Sequence, residues 1–208
     1  MIAITDFLPR LLPHVTGCSD PMAIQALVDS AISFCEDSLV IRQRLDPQRT
    51  RMGGVEFDID APTDQAVSRI MKVWVQGREI RAIPSDMVND AMPLMGQPTA
   101  FYTLQDSGTT TAMLHPVPDA VYTLAVEVAL RPTRNATRFN DDLFNTWMEH
   151  VVTGAMARLM STQDQPFTNL ALGQNAFAKA LYMSRRARVE GSYGRVRATV
   201  TVQQRPFA

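Results

Sequence analysis

The side chains best suited to chemistry in this chain are a run of carboxylates, the cysteines, the histidines and two groups of arginines. In VEFDID (55–60), Glu56, Asp58 and Asp60 recur at a period of two. That spacing puts all three carboxylates on one face of a strand, where a hard cation could bind. Neither the ligand spacing nor the glycine turn of a calcium loop accompanies them, so the reading adopted is a solvated, self-repelling strand edge that discourages wrong pairing. Cys35 with His14, His115 or His150 would supply a nucleophile and a base, yet no glycine-flanked elbow surrounds any of them. Cys35 falls on the inward side of its helix and reads as a packed thiol. His14, in a proline-bounded loop, and His115, beside Pro116, read as local hydrogen-bonders.

No CxxC pair or His/Cys cluster suggests a metal, and no glycine-rich phosphate loop suggests a nucleotide, so no cofactor is expected. Arginines follow the longest strand as Arg131, Arg134 and Arg138, and gather again as Arg185, Arg186, Arg188, Arg195 and Arg197. Phosphate contact is one reading. The second group, however, lies where cations satisfy a helix C-terminus. With a formal net charge of −1, docking onto an acidic protein surface is favoured over direct DNA binding. Lys72 and Lys179 are the lysines and every other basic residue is arginine, the side chain suited to planar, bidentate interface contacts.

The elements that must position these groups are those of one domain, or of one domain with an insertion, since the chain has 208 residues. Cys18 and Cys35 are too few for a disulfide framework, so reduced thiols in a cytoplasm are expected. The proline-broken N-terminus carries no basic region of a signal peptide, and no apolar run is long enough to span a bilayer.

The longest pattern, residues 120–131, alternates strictly. Tyr122, Leu124, Val126, Val128 and Leu130 share one face, and Val121, Thr123, Ala125, Glu127 and Ala129 the other. Before it, helices are expected over 5–12 and over 20–45, the second capped by Asp20 with Pro21 at its first position. The polar stretch 48–54 reads as a hinge. Strands follow at 55–60 and 68–75, the latter returning through 78–83 around a Gln76-Gly77 turn. A short helical or loop segment to about residue 95, a hairpin of 100–104 with 109–115, and a proline-marked corner at 116–119 complete an antiparallel sheet or small sandwich.

After Pro132 the period becomes helical. Asn140 caps a helix whose stripe is Leu143, Trp147, Val151, Ala155 and Leu159, and Gln165-Pro166 breaks it. A second helix over 168–190 offers Leu172, Phe177, Ala180, Leu181 and Ala187 on one side. The two should pair as an αα-hairpin with the N-terminal helix against them. The expected fold is therefore α+β: an antiparallel helical bundle (1–50 and 136–193), an inserted antiparallel β domain (51–135) and a C-terminal arm (194–208). That arm alternates again, with Val196, Ala198, Val200 and Val202 against Arg195, Arg197, Thr199, Thr201 and Gln203, as a strand without a neighbour in sequence. It could return to the inserted sheet or add to another chain.

Five stretches, in order, carry a resemblance: ITDFLPRLLPHVTGCSDP, AISFCEDS, VWVQGREI, LHPVPDAVYTLAVEVALRP and ALGQNAFAKALYMSRRARVEG. Together they resemble the head-to-tail adaptor (connector) proteins of tailed bacteriophages, of the tail tubular protein A-like kind. The resemblance implies a virion protein without an active site, usually twelve copies in a ring beneath the portal, joining the head to the tail or nozzle around the channel through which DNA leaves. It implies portal docking by the C-terminal extension, here Arg195, Val196, Arg197, Val200, Val202, Arg205 and Phe207. Arg185, Arg186 and Arg188 would meet a neighbouring subunit or the portal. The sheet bearing Glu56, Asp58, Asp60 and Gly77 would face the tail. The competing readings are a free-standing DNA-binding module and a small cytoplasmic enzyme using Cys35 and a histidine.

Overall fold

The computed structural model describes residues 1–88, 94–106 and 109–193. The chain opens with β1 (Ile2–Ala3), a 3₁₀ turn (Ile4–Phe7), α1 (Leu8–Leu11) and a second 3₁₀ turn through His14. Helix α2 (Asp20–Ser38) follows, with Ser19 rather than Asp20 at the cap and Pro21 in the first turn. Then come β2 (Arg42–Arg44), β3 (Gln48–Arg49), β4 (Glu56–Asp58), β5 (Gln65–Val75), β6 (Arg78–Ala82), β7 (Met95–Gly96), β8 (Ala100–Asp106), β9 (Thr109–His115), β10 (Val117–Pro118), β11 (Thr123–Pro132) and β12 (Arg138–Phe139). Helices α3 (Asp141–Asn145), α4 (Met148–Met160) and α5 (Leu170–Tyr193) end the described chain. The fold is α+β, as the periodicities predict, with a large, curled, mostly antiparallel sheet.

The sheet runs β2-β11-β5-β6-β8-β9-β4, with β3 also paired to β11. The β6–β8 pair is parallel and the other neighbours along this path are antiparallel. Gln76 and Gly77 both take positive φ, 52° and 78°, the geometry of a two-residue turn whose twist matches its strands. Strand β5 is longer than its partner requires. Its pairing with β11 slips twice, leaving Met71 and Ser68 as extra residues. Such bulges bend a strand and increase its twist, which accounts for the curl.

In β11 the alternation holds: Leu124, Val126, Val128 and Leu130 are all buried. Ala125 and Ala129 on the other face are buried as well, and small enough to be crossed closely. The strand packs against α2, and the Arg131 guanidinium meets Glu36 of that helix at 3.2 Å. Beyond it the backbone is tied down: Thr133 N–H donates to Asp64 O, Thr137 donates to the Asp64 carboxylate, and β12 pairs with β1.

Three expectations about the helices are corrected. The helix expected over 20–45 ends at Ser38, because Leu39 turns left-handed at φ 54° and the next segment is needed as sheet. Leu45 N–H donates to Val126 O and Thr50 N–H to Tyr122 O, so 42–50 lines β11 instead of extending the helix or forming a hinge. The helix capped by Asn140 is two helices. Its cap forms as read, Asn140 Oδ1 accepting from Asp142 N–H, but the helix breaks at Trp147, whose ring lies tilted against Phe34 and edge-on to His150. The stripe survives the break, with Leu143, Val151, Ala155 and Leu159 buried.

The third correction concerns α5. Leu172, Phe177 and Leu181 are not buried in the bundle: they are 52%, 66% and 39% exposed. The buried line is instead Gly173, Ser184 and Ala187, with Ala176 and Ala180 half-buried. A methyl on Gly173 would lie 2.8 Å from Ser161 Oγ, and one on Gly191 3.1 Å from Val40 Cγ1. Helix α5 approaches too closely for large side chains to fit between.

Candidate functional site

Strand β4 pairs with β9 alone, and Phe57 and Ile59 point inward while Glu56, Asp58 and Asp60 are exposed, as the period of two predicts. Leu114 N–H donates to Val55 O, so Val55 and Phe57 aim their backbone groups at β9. The backbone groups of Glu56 and Asp58 therefore aim away from the sheet, into a cleft of about 580 Å³ between β4 and β3. Arg49 and Arg51 stand on the opposite wall, and Phe57, Leu114 and Leu124 form the floor. The Gln48 amide crosses the gap to Asp58 O at 3.3 Å. The carboxylates do not gather as metal ligands, and no group of three acidic, histidine or cysteine side chains does so among the described residues. Gly77 sits at the β5–β6 turn, away from this cleft.

The nucleophile reading finds no geometry. Cys35 is fully buried, and burial followed by the Glu36 charge pushes its thiol up to about 12. The void beside it is about 10 Å³ and its lining contains no histidine. His14 is exposed on a 3₁₀ turn. His150 lies against Phe34 and Trp147, with ring centroids at 5.2 and 4.9 Å. Its buried Nδ1 has no hydrogen-bond partner among the described residues, and burial lowers its pKa.

The arginine groups separate. Arg131 is held by Glu36, while Arg134 and Arg138 are exposed near β12. Arg185, Arg186 and Arg188 are exposed on α5, but that helix continues to Tyr193, so they precede its last turn and do not cap its carbonyls. Arg186 instead pairs with Glu190 at 2.9 Å. Arg195, Val196, Arg197, Val200, Val202, Arg205 and Phe207 lie outside the described residues.

Two exposed apolar surfaces were not expected: the side of α5 read as packed inward, and the proline corner. On α5, Leu170, Leu172, Phe177, Leu181, Tyr182 and Val189 are exposed. Phe177 and Leu181 border a groove of about 340 Å³ between α2, α4 and α5, in which Arg158 donates to Ser33 Oγ at 2.7 Å. At the proline corner, Met52, Leu94, Met95 and Val121 are exposed and joined through the backbone: Met95 pairs with Val117, and Gly53 N–H donates to Pro118 O. The signal for the first was present as a second, small-residue stripe on α5. The second brings together residues distant in sequence. No helix among the described residues is long and apolar enough to cross a membrane.

In comparison with known proteins, no family model matches the chain and no curated protein matches its sequence.

Proposed function

We propose that this chain is a structural virion protein, a head-to-tail adaptor whose copies close into a ring, usually of twelve, between the portal of a phage head and its tail, around the DNA channel. One observation carries the reading. Apart from Met1, the large apolar side chains exposed among the described residues fall in two unlike regions, along α5 and at the Met52/Met95/Val121 corner. A head-to-tail ring contact joins two different patches of one subunit, whereas a two-fold dimer matches one patch to itself. Exposed apolar patches of this kind mark protein contacts.

The two surfaces are also apart. Helix α5 ends beside Val40, next to Ile41, whose carbonyl accepts from Leu130, while the corner lies before Thr123. Along β11 the end of α5 and the corner are about 23 Å apart, from Leu130 to Thr123 at roughly 3.3 Å per residue. In this reading the bundle with Arg185, Arg186 and Arg188 faces the portal and the sheet with Glu56, Asp58, Asp60 and Gly77 faces the tail protein. DNA passes without sequence-specific contact, and neither catalysis nor a cofactor is involved. Electron microscopy of the virion neck tests symmetry, neighbours and DNA path together. A ring of this chain between portal and tail is expected, and its absence from the neck overturns the reading.

A further inference from the structure

We infer that residues 195–202 of one copy lie as an added strand in the β3–β4 cleft of the next copy in the ring. The inference rests on the ring reading and assigns the contact that would lock neighbours together. The receiving edge is built for it. Glu56 and Asp58 turn their backbone N–H and C=O groups into the cleft, where the Gln48 amide that now holds Asp58 O would give way to the added strand. From the other wall Arg49 does the same, because Thr50 and Gln48 use theirs on Tyr122 and Leu124 of β11. A strand laid between them would satisfy both edges, as in β-strand addition.

Side-chain order matches as well. On β4, Phe57 and Ile59 point to the core and Glu56, Asp58 and Asp60 to solvent. In residues 195–202, Val196, Ala198, Val200 and Val202 alternate with Arg195, Arg197, Thr199 and Thr201. With the valines over the Phe57/Leu114/Leu124 floor, Arg195 and Arg197 fall on the outer face beside the carboxylates, the cross-strand arrangement that opposite charges favour.

Reach rules out the chain's own cleft, and a neighbour offers its cleft at the end of α5 where β11 runs across the ring and not along its axis. Gly191 abuts Val40 at the Leu130 end of β11, whereas the cleft opens at Leu124. Six strand residues separate those levels, about 20 Å. The four residues from Gly194 to Arg197 span at most about 14 Å, short of their own Asp58.

The test mixes two full-length chains, one carrying Asp58→Cys and the other Arg195→Cys or Arg197→Cys, under mild oxidation, with bridges mapped by peptide mass spectrometry and assembly read by mass photometry. A bridge between unlike chains is expected, and it should be lost when Glu79→Cys on β6 replaces Asp58→Cys. Reversing Glu56 and Asp58 to Arg, or Arg195 and Arg197 to Glu, should lower the assembled fraction about tenfold at low salt, and combining the reversals should restore it. A bridge within one chain of the doubly substituted protein overturns the inference. Rings that form without any bridge overturn it too, while leaving the ring reading intact. A mixture that stays monomeric and unbridged overturns the inference, and the ring reading is then decided in the virion neck.

Discussion

Ser30 of α2 and Gly154 of α4 touch so closely that a methyl group on the glycine would overlap the serine hydroxyl, which donates to Val151 O at 2.7 Å. The helices are thus joined by a buried hydrogen bond fitted over a residue without a side chain. Gly154→Ala is expected to destabilise the fold by about 1–3 kcal/mol through overpacking. Ser30→Ala should cost about 1 kcal/mol for the lost bond. Because the two changes relieve each other, the double variant should be less destabilised than the sum. Urea denaturation of all three chains measures the coupling, and strict additivity would show the contact to be slack.

On α5 the large apolar face and the buried small-residue face should separate in their effects. Phe177→Asp with Tyr182→Asp removes apolar groups that are each 66% exposed, so stability should move by no more than about 0.5 kcal/mol per site. Assembly should nonetheless fall sharply in mass photometry. Ala187→Leu, at a site 1% exposed, should instead destabilise the monomer by about 1–3 kcal/mol. Loss of folding in the first variant with an intact second would reverse the assignment of faces.

His150 makes stability depend on pH. Burial lowers its pKa from 6.5, an effect opposed by the Glu149 and Glu190 charges and reinforced by Arg186 and Lys179. Below 6.5 and down to the lowered value, the unfolded chain therefore binds more protons than the folded one. The stability from this group is present above that window and lost as pH falls through it. His150→Phe keeps a ring against Phe34 and Trp147 without a titrating nitrogen. The drop in urea midpoint between about pH 7.5 and about pH 5.5 should be smaller in the variant than in the parent; equal drops would assign the dependence elsewhere.

Cys35 should be inert in the folded chain. Its thiol is fully buried and held near 12, so almost none is thiolate at neutral pH. Half-buried Cys18, also raised by burial, should alkylate first with iodoacetamide, and Cys35 only on denaturation. Mass spectrometry of the labelled peptides decides the order. Rapid labelling of native Cys35 would revive a nucleophilic role.

What this sequence determined by itself is local. The period of two in VEFDID set Glu56, Asp58 and Asp60 outward, the Gln76-Gly77 pair set its hairpin, and Asn140 set its cap, because each depends on neighbours within a few residues. Tertiary structure decided what depends on distant partners. Residues 42–49 read as helix and hinge, yet they pair with β11, since a short polar segment takes the conformation that completes the sheet. The faces of α5 were decided by the spacing of three helices. Both a large and a small stripe run along it, and the close approach at Gly173 and Gly191 admits the small one. The cleft between β3 and β4 exists because two bulges in β5 curl a sheet whose alternation alone describes it as flat.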